Sequence, residues 1–324
     1  MLAVLASTVV LSACGGGADL SGGGSGTSAG DGAGQGGMQK IKVSDTAGMP
    51  SAFLTYGVQR GFFKAEGLDV EVQTSAGGAT VIPALLNGGV DVAGSNVVSA
   101  VIAMNRGLPI KMIGAGTSTS TDPDMDFSGI LVPKDSPIRT AADLAGKKVA
   151  VNTLRNINDV VIDASMRKAG AGSAKFRPVE MPFPDMLPAI ERGDVDAGML
   201  IEPFLTTGID QGLRVVARPY SDARPGLQIG TYLMSAERAQ QDPKLVAAFQ
   251  RGLQTTAASV RTDPDAFRTA LPKIANFKPD LARKINLTQW NVTTDRSSVE
   301  LIATSMQRLG LTDRSFDYAK GVLK

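Results

Sequence analysis

The residues that could do chemistry in this chain are most informative by which of them are missing. The sequence contains no histidine and a single cysteine, Cys14. Ser-His-Asp and Cys-His nucleophile pairs, imidazole-built zinc sites and structural disulfides are therefore excluded, leaving only carboxylates, lysine or tyrosine for any catalysis. Three local patterns imitate functional motifs. Ser165-Met166-Arg167-Lys168 spells Ser-x-x-Lys, but it falls late in a predicted helix ahead of Gly170, and no Lys-Thr-Gly element accompanies it. Asp122, Asp124 and Asp126 open like a calcium loop, yet Phe127 stands where glycine is required and Pro133 where glutamate belongs. A solvated acidic turn is expected there instead. Asn286-Leu287-Thr288 and Asn291-Val292-Thr293 are glycosylation sequons by pattern only. No catalytic residue, metal site or cofactor is expected.

Cys14 points to a different chemistry. Residues 1–14 form an apolar stretch too short to span a bilayer but suited to a secretory leader that ends in small residues. Leu11-Ser12-Ala13-Cys14 reads as a lipobox, in which the cysteine takes a diacylglycerol. The basic residues that normally open such a leader are missing, so the natural start is expected upstream. From residue 15 to residue 39 the chain is mostly Gly, Ser, Ala and Asp, the composition of a flexible tether with little to bury. The protein is thus expected outside the cytoplasm, lipid-anchored to a bacterial cell membrane. With 33 basic and 31 acidic residues, bulk charge gives no reason to expect a nucleic-acid partner.

The elements that must position any site begin near Lys40. Short apolar strands at 41–44, 68–72, 90–94 and 110–114 alternate with helical stretches at about 51–65, 79–87 and 97–106, the pattern of an α/β fold. This unit recurs about 105 residues later. Pro83-Ala84, Gly88, Val90-Asp91 and Gly107-Leu108 correspond without a gap to Pro188-Ala189, Gly193, Val195-Asp196 and Gly212-Leu213. Lys42-Val43 likewise matches Lys148-Val149 at a spacing one residue longer. Two similar lobes are expected: residues 40–130 with 233–324 as the first, and 131–232 as the second. The extended stretches 129–133 and 226–234 are predicted to be the two inter-lobe crossings. The remaining tail is helical, with Asp242-Pro243 and Asp263-Pro264 each setting an N-cap carboxylate before a proline at the first helical position.

A family resemblance runs through about residues 40–320. It is carried by Gly61-Phe62-Phe63-Lys64-Ala65-Glu66-Gly67-Leu68-Asp69-Val70, the Gly77-Gly78 pair, Asn87-Gly88-Gly89-Val90-Asp91-Val92-Ala93-Gly94-Ser95, Asp143-Leu144-Ala145-Gly146-Lys147-Lys148-Val149-Ala150-Val151, and Gly193-Asp194-Val195-Asp196-Ala197 followed by Glu202-Pro203. In order and spacing these pieces resemble the nitrate, sulfonate and taurine, or thiamine-precursor, class of periplasmic binding proteins with the type II fold. The resemblance implies a monomeric two-lobed clamp that binds a small organic molecule without being an enzyme, with an ABC permease and ATPase as partners. The thiamine-precursor branch includes a pyrimidine-synthesising enzyme, for which the resemblance implies histidine and a cysteine-rich iron site. This chain has neither.

In such a sheet, ligands collect where the carboxyl ends of strands meet helix N-termini, because free N–H groups and the positive dipole end point there. In the first lobe the candidates are Thr46, Gly48, Pro50 and Ser51 after the opening strand, Gly77 and Gly78, then Ser95, Asn96 and Thr117. In the second lobe they are Asn152, Arg155 and Asn156, then Phe183 and Glu202. Gly77 and Gly78 serve either ligand contact or close packing, and Ser95 and Asn96 either ligand contact or helix capping. Glu202 is either a ligand contact or a helix-start carboxylate. Arg155 is the one arginine in these loops, suited to a carboxylate or sulfonate, or else a solvated helix-face residue. Phe183 and Phe204 would suit a heteroaromatic ring.

Overall fold

The computed structural model describes residues 37–323; Cys14, the lipobox and most of the tether lie outside them. The chain runs through β1 (Gln39–Thr46), α1 (Met49–Gln59), α2 (Phe62–Ala65), β2 (Leu68–Ser75), α3 (Gly78–Leu86), β3 (Val92–Asn96), α4 (Val97–Asn105), β4 (Ile110–Ala115) and β5 (Thr117–Ser118). It continues with β6 (Ser128–Val132), β7 (Lys148–Val151), α5 (Ile157–Lys168), β8 (Arg177–Glu180), α6 (Phe183–Arg192), β9 (Ala197–Ile201), α7 (Phe204–Asp210), β10 (Arg214–Ala217) and α8 (Pro219–Ala223). The return carries β11 (Gly230–Ser235), α9 (Ala236–Gln241), α10 (Pro243–Thr262), α11 (Pro264–Ile274), α12 (Pro279–Lys284), β12 (Gln289–Trp290), α13 (Arg296–Arg308) and α14 (Tyr318–Gly321). The single helix expected over 51–65 is two, because Gly61 takes a left-handed turn at φ 74° between them.

Two five-stranded sheets result, ordered β2-β1-β3-β11-β4 and β8-β7-β9-β6-β10. Their correspondence is strand for strand, and in each the fourth strand runs antiparallel to its neighbours. The internal repeat has a physical basis in these sheets. Asp91 accepts the Lys42 backbone N–H at 2.8 Å and Asp196 accepts the Lys148 N–H at 2.7 Å, so one carboxylate fixes the opening strand of each sheet to the loop before its third strand. Gly88 and Gly193, at φ 78° and 76°, make the left-handed turn that ends α3 and α6.

Most of each stretch predicted as a crossing is a strand inside a sheet, while 226–229 do form part of the second pass. Ser128–Val132 pairs with β9 and β10, and Gly230–Ser235 pairs with β3 and β4. The chain passes between sheets just ahead of each, and the two passes bond to one another. Thr119 N–H donates to the Leu227 carbonyl and Gly226 N–H to the Ser120 carbonyl. Asp126, expected in a solvated turn, is fully buried here and accepts the Ser221 N–H at 2.9 Å and hydroxyl at 2.6 Å. Its second oxygen takes the Ser128 N–H and hydroxyl. Both groups of Ser-x-x-Lys bind Asp222, which ties α5 to α8.

The apolar residues form two clusters. One surrounds α1, α10 and α11, with Phe53 stacked on Trp290 at 4.4 Å and Phe267 edge-on to both Trp290 and Tyr56. The other fills the second sheet and continues through α4 and α13. Each fully buried Phe or Leu stabilises by about 1.5–3 kcal/mol. The tail was expected on the first lobe alone, but α13 packs against both α4 and α5.

Candidate functional site

The two sheets aim the carboxyl ends of β1, β3 and β4 on one side, and of β7 and β9 on the other, at a shared cavity. Thr46, Pro50, Ser95, Asn96 and Thr117 line it from the first lobe, and Asn152 and Phe183 from the second. The cavity volume is about 50 Å³. Its walls alternate polar edges with apolar side chains, among them Phe127, Ile157, Ile201 and Ile229.

Several expected residues hold this cavity without lining it. Gly77 and Gly78 are the space that lets it close. A Cβ on Gly77 would lie 2.5 Å from Asn152 Nδ2 in the other lobe, and one on Gly78 would lie 2.1 Å from Ser95 Oγ. Gly48, at φ 106°, is pressed against the Glu202 carbonyl in the same way. Ser51 donates to the Gly48 carbonyl and, with Gly48 and Phe204, lines a more open neighbouring groove. Asn156 caps α5 and donates to both Asn152 Oδ1 and Thr153 Oγ1. Asn152 in turn donates to the Ala76 carbonyl at 2.9 Å, a bond between the lobes. Asn96 lines the cavity, yet its side chain also caps α4 through the Ser99 N–H.

Glu202 is a second link between the lobes. Its carboxylate accepts the Thr206 hydroxyl at 2.7 Å and N–H at 3.1 Å at the start of α7, and the Asn286 N–H from the returning tail at 3.2 Å. Burial holds its pKa above the ordinary glutamate value against these bonds. Asn286, a sequon residue, donates from its side chain to the Asp124 and Asp126 carbonyls. Phe204 stacks behind Phe183 at 5.9 Å, so the second ring braces the first.

Arg155 requires a correction. It is not among the residues that line the cavity; its guanidinium donates to the Leu311 carbonyl at 3.1 Å in the returning tail, and its backbone is left-handed at φ 52°. A capping loop in that conformation carries the side chain towards the tail, which the sequence alone could not place.

Sequence reasoning missed the most polar group in the cavity. Asp45, the next-to-last residue of β1, lines it with Tyr232 of β11. The aspartate is 6% exposed and accepts the Thr46 N–H at 2.7 Å. Burial pushes its carboxyl up to about 7, against bonds from Thr46 and Tyr232 that pull it down. The Tyr232 hydroxyl rises well above the usual tyrosine range through burial and the neighbouring Asp45 charge. The signal lay in the sequence, a charged residue at the carboxyl end of an apolar strand, but the loop was read as starting one residue later. Tyr220 and Tyr232 carried no such signal, because they come from α8 at the end of the second lobe and from the return strand β11.

The arrangement can enclose a small molecule, offer it hydroxyl, amide and carboxylate groups, and pack its carbon frame. Among the described residues, no three Asp, Glu, His or Cys side chains converge as a metal set.

The comparisons agree with this architecture. The chain is 24% identical over 245 residues to a 4-amino-5-hydroxymethyl-2-methylpyrimidine phosphate synthase of Saccharomyces cerevisiae, covering 71% of this chain and 68% of that one. It is 26% identical over 159 residues to a putative aliphatic sulfonates-binding protein of Escherichia coli, about half of each chain at 49% and 47%. The ligand-binding component of an ABC-type import system from Staphylococcus aureus superposes with a TM-score of 0.76 at 16% identity, covering 88% of this chain and 96% of that one. That likeness is one of fold, the two-lobed type II periplasmic-binding architecture. Residues 50–267 match the family model described as NMT1/THI5 like, and the chain belongs to that family.

Proposed function

We propose that this chain is the extracytoplasmic solute-binding subunit of an ABC importer, a clamp that encloses a small organic molecule and passes it to a permease and its ATPase. The observation that carries the reading is the cavity itself, walled by strand ends of both lobes and bounded by the Asn152–Ala76 and Glu202–Asn286 bonds between them. The import-system component and the sulfonates-binding relative support the same reading by fold and by name. An organic anion such as a sulfonate or carboxylate is the reading that the sulfonates-binding relative supports by name. A heteroaromatic vitamin precursor is a second reading, favoured by Phe183 with Phe204 stacked behind it. Synthase activity like that named for the yeast relative is not proposed, because the chain has no histidine and no cysteine beyond Cys14.

Cys14 is proposed to carry a diacylglycerol that holds the monomeric clamp at the membrane surface, with the Gly/Ser-rich segment as its leash. A lipoprotein that presents its lobes to a sensor would use the same cleft; finding permease and ATPase genes beside this one would discriminate in favour of import. A thermal-shift screen of sulfonates, carboxylates and pyrimidines tests the binding reading. A solute at 100 times its Kd stabilises by about 2.7 kcal/mol, and a screen in which nothing raises the melting temperature counts against it.

A further inference from the structure

We propose that the solute carries a protonated nitrogen or an N–H donor, and that Asp45 with Tyr232 receives that group at the floor of the cleft. The proposal rests on the solute-clamp reading and deepens it by naming what one end of the solute must be. Asp45 reaches the cavity across residue 94, where only glycine leaves room: a Cβ there would fall 2.1 Å from the Asp45 carboxyl carbon. A carboxylate has about four lone-pair positions. The Thr46 N–H and the Tyr232 hydroxyl use only part of that capacity.

Among the described residues, no counter-charge stands beside Asp45. The groups that face Asp45 are Thr46 on its own strand, Gly94 and Ser95 from β3, and Tyr232 from β11, with Tyr220 also lining the cavity from the second lobe. Among the described residues, no lysine or arginine lines the cavity. A buried carboxylate normally appears with a cationic partner or a full set of donors, since desolvation otherwise favours its neutral form. Here the carboxyl sits at about 7 for that reason, so near neutral pH it is poised to ionise when a donor arrives. An ammonium, an amidine-like ring edge or an amino-substituted ring would each complete it. Ile157, Phe183, Ile201 and Ile229 would then pack the carbon frame. An anionic group elsewhere on the same solute is compatible with this, so a zwitterion meets both requirements.

The test loads the purified chain with the small-molecule filtrate of a bacterial cell extract, removes what is unbound, and identifies the retained solute by mass spectrometry. Asp45→Asn, nearly identical in shape, is treated in parallel and its fold checked by circular dichroism. The expected result is a solute bearing a basic nitrogen or N–H donor, retained at least tenfold less by the variant. A retained solute without such a group, or equal retention by the two proteins, overturns the proposal and leaves the clamp intact. Retention of no solute by either protein overturns the clamp reading and the proposal with it. Wild-type affinity for the retained solute, measured at pH 8 and pH 5, gives a readout that does not depend on the variant folding. Protonation of Asp45 should weaken binding at least tenfold at pH 5, and a pH-independent affinity overturns the assignment.

Discussion

Asp45 is an expensive residue for the unliganded fold, and that cost is measurable apart from any ligand. Its folded pKa of about 7 lies above the ordinary 3.8, so the neutral acid is the form the fold prefers. The associated stability is present in full below pH 3.8 and is lost as pH rises through 7. At about 1.4 kcal/mol per pKa unit, the ionised carboxylate costs up to about 4 kcal/mol at pH 8. Asp45→Asn should therefore melt with wild type near pH 4 and several degrees higher at pH 8, read by calorimetry at both. A carboxylate kept at such a cost beside a cavity is what a binding function would retain. Arg155 makes the opposite case. Exposed and bonded to the Leu311 carbonyl, it should give an Arg155→Ala protein whose solute affinity stays within about twofold of wild type, as exposed charges usually do. A tenfold loss in titration calorimetry would return it to the site.

At the scale of elements, close approach of backbone to the opposite lobe is the recurring requirement. Gly77 is extended in φ, so its identity follows from space and not from strain, and the Asn152 amide occupies the volume a methyl group would need. Gly77→Ala should leave melting of the unliganded protein nearly unchanged while weakening solute binding about tenfold, because the lobes can no longer meet. Equal affinities in the two proteins would show that the loop yields. Asp126 sets the geometry of the two passes between sheets. Removing it strands the Ser221 and Ser128 donors in a dry site, so Asp126→Ala should cost about 3 kcal/mol in chemical denaturation. A loss under about 1 kcal/mol would mean that water replaces the carboxylate there.

For the whole molecule, two passes that bond to each other form the natural hinge, and the lobes meet through polar bonds beside the cavity and through an apolar cluster that α4 and α13 share with α5. The Lys284–Asp210 ion pair at 3.0 Å is half exposed at each end, and such pairs contribute about 1 kcal/mol or less. A solute shifts the open–closed balance by its preference for the closed form. Saturating solute should reduce the radius of gyration in small-angle scattering, whereas an unchanged profile would argue for a rigid pocket. The proposed anchor is checked by fractionation. Cys14→Ser should move the protein from the membrane to the soluble fraction, and its persistence in the membrane would remove the lipobox.

The sequence by itself determined the α/β class, the repeat and most of the loops that meet at the cleft. Those features are written in local pattern: strand and helix periods, Asp91 and Asp196 repeating one backbone-pinning bond, and glycines at turns that only they can make. What the tertiary structure decided is which side chains of those loops face inward. Arg155 and Asp45 look equally plausible in one dimension. A left-handed backbone sends the first to the tail, while the missing Cβ of Gly94, far along the chain from Asp45, opens the floor of the cavity to the second. The crossings were misplaced for a related reason. An apolar extended stretch has the same pattern whether it connects sheets or lies within one, and only its hydrogen-bonded neighbours tell the two apart. Tyr232 shows the same limit, since it reaches the site from a strand that enters the first sheet only after the chain has built the whole second lobe.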